Sequence, residues 1–185
     1  MSDRAREWAF WAAVTILVAA VVHFGTLYAV PRIVMMRALT KLGTPNVMHF
    51  GKRPDATTRM IVRPSPDLLY ATCPYDLSKG ALRVIAPVTH ANYWSVSAFD
   101  AATNNYFVRN DQKIAGDAIE ILMLQHGQPW PPFDNALERI ILFSPSTRGL
   151  ILIRAVVDDD KHVAALQTML HRTRCETVAS ANGVR

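Results

Sequence analysis

Hydrophobic and polar positions follow two different patterns along the chain, and the change comes near residue 59. From Trp8 to Val30, no Asp, Glu, Lys or Arg interrupts a mostly apolar run of 23 residues. A helix of that length spans about 34 Å, which exceeds the roughly 30 Å hydrocarbon core of a bilayer. The run predicts a transmembrane helix over residues 8–30, and Pro31 is expected to end it.

A cleaved signal peptide and a buried core helix are the alternatives to an uncleaved anchor. The apolar region of a signal peptide is usually about 7–15 residues long and precedes a small-residue cleavage site, and the run matches neither feature. A core helix normally carries a polar stripe on one face, which this run lacks. Trp8 and Trp11 at one end and Tyr28 at the other suit the two membrane interfaces. The pattern therefore favours an anchor that lies in the lipid bilayer.

Residues 31–58 are predicted to form a juxtamembrane helix and a loop. Good helix formers occupy 32–42, and Arg32, Arg37 and Lys41 fall roughly on one side of such a helix. This arrangement fits either an interfacial amphipathic helix or the first helix of the domain. The residues that follow are rich in proline and glycine, as is typical of a loop.

From residue 59 onward, short runs of β-branched and aromatic residues alternate with turn residues, which is typical of strands. The predicted strands lie near 59–63, 68–74, 81–88, 92–99, 105–109, 118–124, 139–143 and 149–157. Acidic residues 158–160 then cap a helix that is expected to reach about Thr177. The predicted fold class is mainly β (α+β), an antiparallel β-sandwich-like domain with flanking helices.

The predicted boundaries follow from these elements. They are 1–7 for an N-terminal tail, 8–30 for the transmembrane helix, 31–58 for the juxtamembrane segment, 59–179 for the β-rich domain and 180–185 for a second tail. One strand has a clear alternation, because Trp94, Val96 and Ala98 face one way while Tyr93, Ser95 and Ser97 face the other. That alternation predicts a half-buried strand with one polar face.

Composition and charge narrow the classes of function. The chain has 185 residues, is 50% hydrophobic and carries a net charge of +5, and this composition excludes a disordered chain. The first 59 residues hold eight Lys or Arg and three Asp or Glu, and the remaining 126 residues hold twelve of each. The positive excess lies beside the apolar run, where it favours anionic lipid. Since the rest of the sequence shows no basic stripe, no nucleic-acid partner is expected.

Motifs that carry familiar chemistry are missing from the sequence. It contains no Gly-rich phosphate loop, no His-Glu-x-x-His motif and no Gly-x-Ser-x-Gly motif. The six histidines are scattered, and no two lie three or four residues apart. We therefore expect neither a metal site nor a cofactor.

The two cysteines, Cys73 and Cys175, are 102 positions apart. In an oxidising compartment, a disulfide between them would join the β core to the last helix, with a gain of about 4–5 kcal/mol in the idealised loop-entropy model. Two buried free thiols fit the sequence equally well.

Two stretches hold more polar groups than core strands require. They contain the sequences Val-Arg-Pro-Ser-Pro-Asp-Leu-Leu-Tyr at 62–70, Asp-Leu-Ser-Lys-Gly at 76–80, Tyr-Trp-Ser-Val at 93–96 and Phe-Asp-Ala-Ala-Thr-Asn-Asn at 99–105. Together these motifs resemble the bacterial family called domain of unknown function 1254 (DUF1254). The resemblance extends from near Pro31 to about residue 157.

This resemblance implies a β-rich sandwich that is usually exported. Most relatives continue into a companion β domain, domain of unknown function 1214 (DUF1214), and the family brings no established reaction with it. The chain departs from the family pattern at Ser65 and Leu68, where relatives tend to have Asn and Thr. Two polar groups are thereby lost or shortened.

A polar pocket is the functional interpretation of the two stretches. Asp67, Tyr70 and Asp100 are the candidate catalytic residues, with an aspartate as general base and a tyrosine as hydrogen-bond donor. The candidate binding residues are Arg63, Asp76, Tyr93, Thr103, Asn104 and Asn105. In the structural interpretation, which is favoured for Asp76, residues 76–78 and 103–105 are turn and cap residues, and Arg63 and Asp67 form an ion pair.

Three functions fit these features. The first is a single-pass, membrane-anchored β domain that is a subunit or docking partner of a separate companion protein of the DUF1214 type. The second is an enzyme of unknown class, with hydrolysis as the example considered, that uses the polar pocket. The third is an envelope protein that binds a small molecule without turning it over.

The predicted location is the bacterial inner membrane, with the domain in the periplasm. The periplasmic side is implied by the resemblance, since relatives are mostly exported. The charges themselves give no orientation, because basic residues flank both ends of the predicted span.

Overall fold

The architecture of the chain is given by a computed structural model, which describes residues 2–55, 57–58, 64–129 and 138–178. The predicted strand at 59–63, the candidate residue Arg63 and the predicted tail at 180–185 lie outside the described residues. The helices and strands are α1 (Asp3–Leu42), β1 (His49–Phe50), β2 (Leu68–Asp76), β3 (Ala81–Pro87), β4 (Trp94–Phe99), β5 (Asn105–Asn110), β6 (Ala118–Leu124), β7 (Glu138–Phe143), β8 (Arg148–Val156), α2 (Val163–Leu170) and β9 (Arg174–Val178).

The first element, α1, is a continuous helix of 40 residues, about 60 Å long. The prediction that Pro31 ends the helix is wrong, because residues 32–42 continue it. A proline removes the N–H group that would donate to the carbonyl oxygen four residues earlier, which here is that of Leu27. The helix nevertheless continues past Pro31, and Met35 is buried where α1 meets the sheet.

The strands form two sheets that pack face to face. Sheet A has the order β1-β2-β8-β4-β5, and sheet B has the order β7-β6-β3-β9. Seven predicted strands correspond to β2 through β8, so the mainly β (α+β) prediction is confirmed. One pair departs from the antiparallel pattern, since β6 and β7 are parallel.

The core lies between the two sheets and is built by alternate residues of each strand. Trp94, Val96 and Ala98 point into it and are fully buried. The prediction of an exposed polar face on β4 is wrong, because Ser95 and Ser97 are also fully buried. β4 lies inside sheet A, and Arg154 of the neighbouring strand β8 donates to the Ser97 hydroxyl at 3.5 Å.

The last elements also correct the sequence prediction. The helix expected to reach Thr177 ends at Leu170, and the chain then forms β9. β9 pairs with β3, with Cys175 opposite Val84. Cys175 is joined to Cys73 of β2 by a disulfide. Of the two alternatives, a disulfide or two free thiols, the structure therefore has the disulfide. This bond connects sheet A to sheet B.

The stem, defined as residues 31–42 of α1, lies against the outer face of sheet A. Its residues Met35, Ala38, Lys41 and Leu42 surround a small cavity together with Phe99 of β4 and Leu150 and Leu152 of β8. The chain then enters the sheet through β1, which pairs with β2. The stem is therefore part of the domain, whereas residues 8–30 project away from it.

Candidate functional site

The predicted site residues lie at two opposite ends of sheet A. β2 and β4 run in the same direction, because each is antiparallel to β8. Asp67 precedes β2 and Tyr93 precedes β4, so both lie at the starting end of these strands. Asp76 ends β2 and Asp100 follows β4, so both lie at the other end. A strand of nine residues is about 30 Å long, and the structure therefore does not bring Asp67 and Asp100 together.

Asp100 is brought together with Asn104, and its carboxylate closes the turn between β4 and β5. Its Oδ1 accepts the backbone N–H groups of Ala102 and Asn104, both at 2.8 Å, and its Oδ2 accepts the Asn104 side-chain amide at 2.8 Å. Thr103 has a φ of 67° in the same turn. These three bonds hold the carboxylate in the turn, and the geometry favours a structural role for it.

Asn105 begins the edge strand β5 and has a similar role. With its side-chain amide oriented to donate, the nitrogen reaches the carbonyl oxygens of Phe107 at 2.7 Å and Ala98 at 3.2 Å. The amide thereby ties β5 to β4 beside a register shift between these strands.

A buried group of hydroxyls near Asp100 was missed by the sequence reasoning. The Tyr75 Oη lies 2.9 Å from Ser144 Oγ, 3.2 Å from Tyr106 Oη and 3.1 Å from the Phe99 carbonyl oxygen. Burial, and then the nearby Tyr75, raise the pKa of the Tyr106 hydroxyl above its ordinary value. The Tyr106 hydroxyl therefore stays protonated and hydrogen-bonds with Tyr75 rather than supplying a base.

Asp76 forms an ion pair at the end of β2. Its Oδ2 accepts Arg148 Nε at 2.8 Å, and its Oδ1 accepts the Ser78 backbone N–H at 3.0 Å. Burial acts to raise the pKa of Asp76, but the hydrogen bonds from Ser78 and Arg148 outweigh it, and the pKa lies below its ordinary value. The structural interpretation of Asp76 as a cap is thus correct, and an ion pair is added to it.

Asn46, which the sequence reasoning did not single out, fastens the end of the stem to this place. Its Oδ1 accepts the Asp76 backbone N–H at 2.8 Å, and its Nδ2 donates to the Asp76 carbonyl oxygen at 2.9 Å. The same nitrogen donates to the Thr177 hydroxyl at 2.8 Å. Asn46 has a φ of 61°, a conformation that asparagine tolerates better than most residues.

The Asp76 pair predicts a specific dependence of stability on pH. We expect the Asp76→Asn substitution to destabilise the protein at neutral pH, and the difference from wild type to shrink as the pH falls below about 4. The reason is that a depressed pKa stabilises the fold above the pKa of the unfolded chain and loses that effect as the pH falls through the folded pKa. Urea unfolding of both proteins in mild detergent at several pH values measures the difference.

The matched background for this measurement is Arg148→Gln, which removes the cation that faces Asp76. In that background the pH-dependent part of the difference should decrease. A difference between wild type and Asp76→Asn that stays constant from neutral to acidic pH would show that the ion pair contributes nothing.

At the other end of sheet A, Tyr70 lies apart from Asp67 and Tyr93. The Tyr70 Oη accepts the Ser65 backbone N–H at 3.0 Å, and its ring lines an open cleft of about 450 Å³, the Tyr70 cleft. Asp67 and Tyr93 are exposed. The described lining of the Tyr70 cleft includes the basic residues Lys41, His49 and Lys52, with apolar residues Leu42, Phe50, Pro54 and Pro64.

A second cleft, the stem cleft, lies between the stem and the Asp76 end of sheet A. Its volume is about 540 Å³. Its lining consists of Arg32, Met36, Leu39, Thr40, Gly43, Pro45, Pro74, Tyr75, Asp76, Ala101 and Arg148. The stem cleft includes Arg32, near the start of the stem, whereas the Tyr70 cleft includes only Lys41 and Leu42 at its end. The Asp76 end of sheet A is therefore the end nearer to residues 8–30.

A buried carboxylate on sheet B is a further group that the sequence did not reveal. Glu120 of β6 accepts Arg83 Nε at 2.7 Å and Arg139 Nη2 at 2.7 Å. Its position between two arginines compensates its charge, so the group is structural. Among the described residues, no cluster of three or more His, Cys, Asp or Glu side chains is arranged to hold a metal ion.

Comparisons with known proteins place this geometry in a family. The model of the family described as "Protein of unknown function (DUF1254)" matches residues 45–177. The fold is similar to the VPA0106 protein of Vibrio parahaemolyticus, with a TM-score of 0.62 and 10% identity over 86% of this chain. It is also similar to an uncharacterised protein of Burkholderia cenocepacia, with a TM-score of 0.50 and 15% identity over 88% of this chain. The chain spans 38% and 44% of the lengths of these two solved chains. No curated protein matches the sequence.

Proposed function

The chain belongs to the DUF1254 family, and we propose that it is a single-pass, membrane-anchored β domain that docks a companion β-domain protein of the DUF1214 type. The observation that carries the proposal is the continuity of α1. One helix contains both the exposed apolar span and the stem that packs against sheet A.

The exposure of the span supports a membrane anchor. The most apolar 18-residue window of α1 has a mean hydropathy of 2.0, and none of it is buried within the protein. Large apolar side chains such as Trp8, Ile16 and Phe24 are more than 60% exposed. A core helix would bury such a surface, whereas a bilayer accommodates it.

The stem supports an anchor that is retained rather than cleaved. Met35 is buried, and Asn46 binds both β2 and β9 just after the helix ends. Removal of α1 would therefore expose apolar surface on sheet A. The retained helix would hold the Asp76 end of the sheet close to the membrane surface.

The disulfide supports the predicted side of the membrane. Structural disulfides persist in oxidising compartments and are rare in the cytosol. Cys73 is fully buried in the core, and its bond to Cys175 joins the two sheets. A periplasmic domain on an inner-membrane anchor satisfies this requirement.

The proposed companion is supported by the greater length of the solved relatives and by the edge strand of sheet A. β5 is an edge strand of sheet A, and its Val108 is 48% exposed. Such an edge presents backbone N–H and C=O groups to which another strand can pair. We place the companion at this edge.

The test is capture of the full-length, C-terminally tagged chain from bacterial membranes that have been washed with alkaline carbonate and dissolved in mild detergent. We expect the chain to stay in the membrane fraction and a DUF1214-type protein to be recovered with it. A Val108→Lys variant should stay in the membrane, and the amount of companion recovered with it should fall at least about tenfold. A tenfold fall corresponds to a loss of about 1.4 kcal/mol of binding free energy.

The matched control is Val47→Lys, because Val47 is 47% exposed and lies away from β5. It should recover the companion as wild type does. Full-length chain in the supernatant without detergent would contradict the anchor. Membrane-bound chain recovered without a DUF1214-type protein would contradict the docking role alone.

A further inference from the structure

The stem cleft is built on one face of α1 that continues into the apolar span. Its helical residues are Arg32, Met36, Leu39 and Thr40, and Gly43 follows the helix. Residues spaced three and four apart share one face of a helix. Four residues before Arg32 on that face is Tyr28, which lies within the span. The face of α1 that lines the cleft therefore continues from the apolar span, which would lie in the bilayer.

Arg32 and Tyr28 mark the level at which the cleft opens. The Arg32 guanidinium lies 3.6 Å from the centre of the Tyr28 ring and donates to the Tyr28 carbonyl oxygen at 2.7 Å. Tyrosine and arginine at the end of an apolar span lie at the headgroup level. Leu39 is about 13 Å farther along the helix than Val30, which is above the polar headgroup layer of about 5–7 Å per leaflet.

The walls of the cleft suit a hydrocarbon chain. Met36 and Leu39 form the helical side, and Pro45 and Pro74 form part of the side toward the sheet. Met36 is 59% exposed, and Ile33 and Val30, which precede it at intervals of three residues, are also more than 40% exposed. Apolar surface thus extends from the span to the cleft without interruption by a buried contact.

The charges at the cleft suit a phosphate group. Arg148 is paired with Asp76 through Nε, and in the described part of the chain no partner is found for its two Nη nitrogens. Arg32 adds a second guanidinium, and Asp76 is the only carboxylate among the described lining residues. Guanidinium groups match phosphate oxygens with paired N–H donors.

We propose that the stem cleft binds a glycerophospholipid that rises from the bilayer along α1. Its acyl chain lies against Met36 and Leu39, and its phosphate is held by Arg148. A lipid is favoured over a free anion, because the apolar walls join the membrane-facing surface of the span. The proposal rests on the anchor proposed above and adds a ligand to it.

The experiment uses the full chain in nanodiscs made of phosphatidylcholine and phosphatidylglycerol. A small fraction of the phosphatidylglycerol carries a diazirine near the carboxyl end of one acyl chain, the part that would lie against Met36 and Leu39. After irradiation, mass spectrometry of the digested protein locates the labelled residues. We expect labelling at residues 36–43, which bulk acyl chains do not reach, in addition to labelling of the span.

Two variants test the proposed contacts. Arg148→Gln should lower the labelling of residues 36–43 at least about fivefold, because a charge-assisted contact with phosphate is lost. Met36→Gln should lower it as well, and it leaves the Arg148–Asp76 pair in place. The matched control is Arg174→Gln, which removes an exposed arginine from sheet B and should leave the labelling unchanged.

Two outcomes would overturn the lipid site. One is labelling confined to residues before Ile33, and the other is labelling of residues 36–43 that is equal in wild type and both cleft variants. In either case, retention of the chain by carbonate-washed membranes keeps the anchor intact. Loss of the chain from washed membranes would instead contradict the anchor itself, so the two failures are distinguishable.

Discussion

Replacement of Gly149 by alanine is expected to destabilise the fold by about 3 kcal/mol or more, because the site has no room for a methyl group. Gly149 lies opposite Tyr75 in the pairing of β8 with β2. A Cβ atom at this position would overlap the Phe99 carbonyl oxygen and the Tyr75 ring. The carbonyl belongs to the backbone of β4, which cannot move without breaking its pairing with β8. Urea unfolding in mild detergent, monitored by circular dichroism, measures the loss of unfolding free energy.

The substitution should also disturb the cluster of hydroxyls around Tyr75 at this end of the sandwich. The Tyr75 Oη binds Ser144 and Tyr106, and displacement of its ring would leave buried hydroxyls without partners, which costs additional free energy. Gly116→Ala is the matched control, since its nearest neighbour would lie 3.7 Å away, and we expect a change within about 0.5 kcal/mol. Equal midpoints for wild type and Gly149→Ala would contradict the packing argument.

The strands could be predicted from sequence because their signal is local. Runs of β-branched and aromatic residues between turn residues depend only on near neighbours, and they located β2 through β8. Residues 8–42 show a limit of local signals. Pro31 indicates a helix end, but the packing of the stem against sheet A, where Met35 is buried, stabilises the helix beyond it.

The last part of the chain shows a conflict between local and tertiary preference. Val163, Leu166 and Leu170 have helical spacing, and α2 contains all three. The helical prediction failed beyond Leu170, because β9 gains its stability from pairing with β3 and from the bond of Cys175 to Cys73. Neither partner is near in sequence, so no local pattern reports them.

The sequence could not predict which of the candidate site residues lie together. Asp76 and Asp100 do lie at one end of sheet A, but they were grouped with Asp67 only because all three lie in polar motifs. Which end of a sheet a residue occupies depends on strand direction, which is a property of the whole sheet. Arg148 and Asn46, which bind Asp76, are distant in sequence and carry no motif.

Loss of the disulfide is the second large expected effect. Substitution of both Cys73 and Cys175 by alanine should lower the free energy of unfolding by about 3–5 kcal/mol, since the bond closes a loop of about 100 residues in the unfolded chain. The bond joins β2 of sheet A to β9 of sheet B. β9 is an edge strand that pairs with β3, so it should be the first element to separate. Urea unfolding in mild detergent, with and without reductant, measures the effect.

The single substitutions supply the control, because the bond is lost when either cysteine is replaced. Cys175→Ala should therefore be nearly as unstable as the double variant, and its stability should not respond to reductant, whereas wild type should become less stable when reduced. The two single losses should add to far more than the loss in the double variant, which identifies a shared interaction. Cys73 is fully buried, so its substitution should cost slightly more than that of Cys175 through lost packing. Additive losses, or a wild type that is indifferent to reductant, would mean that the two thiols contribute independently and that the sheets are held together by the core alone.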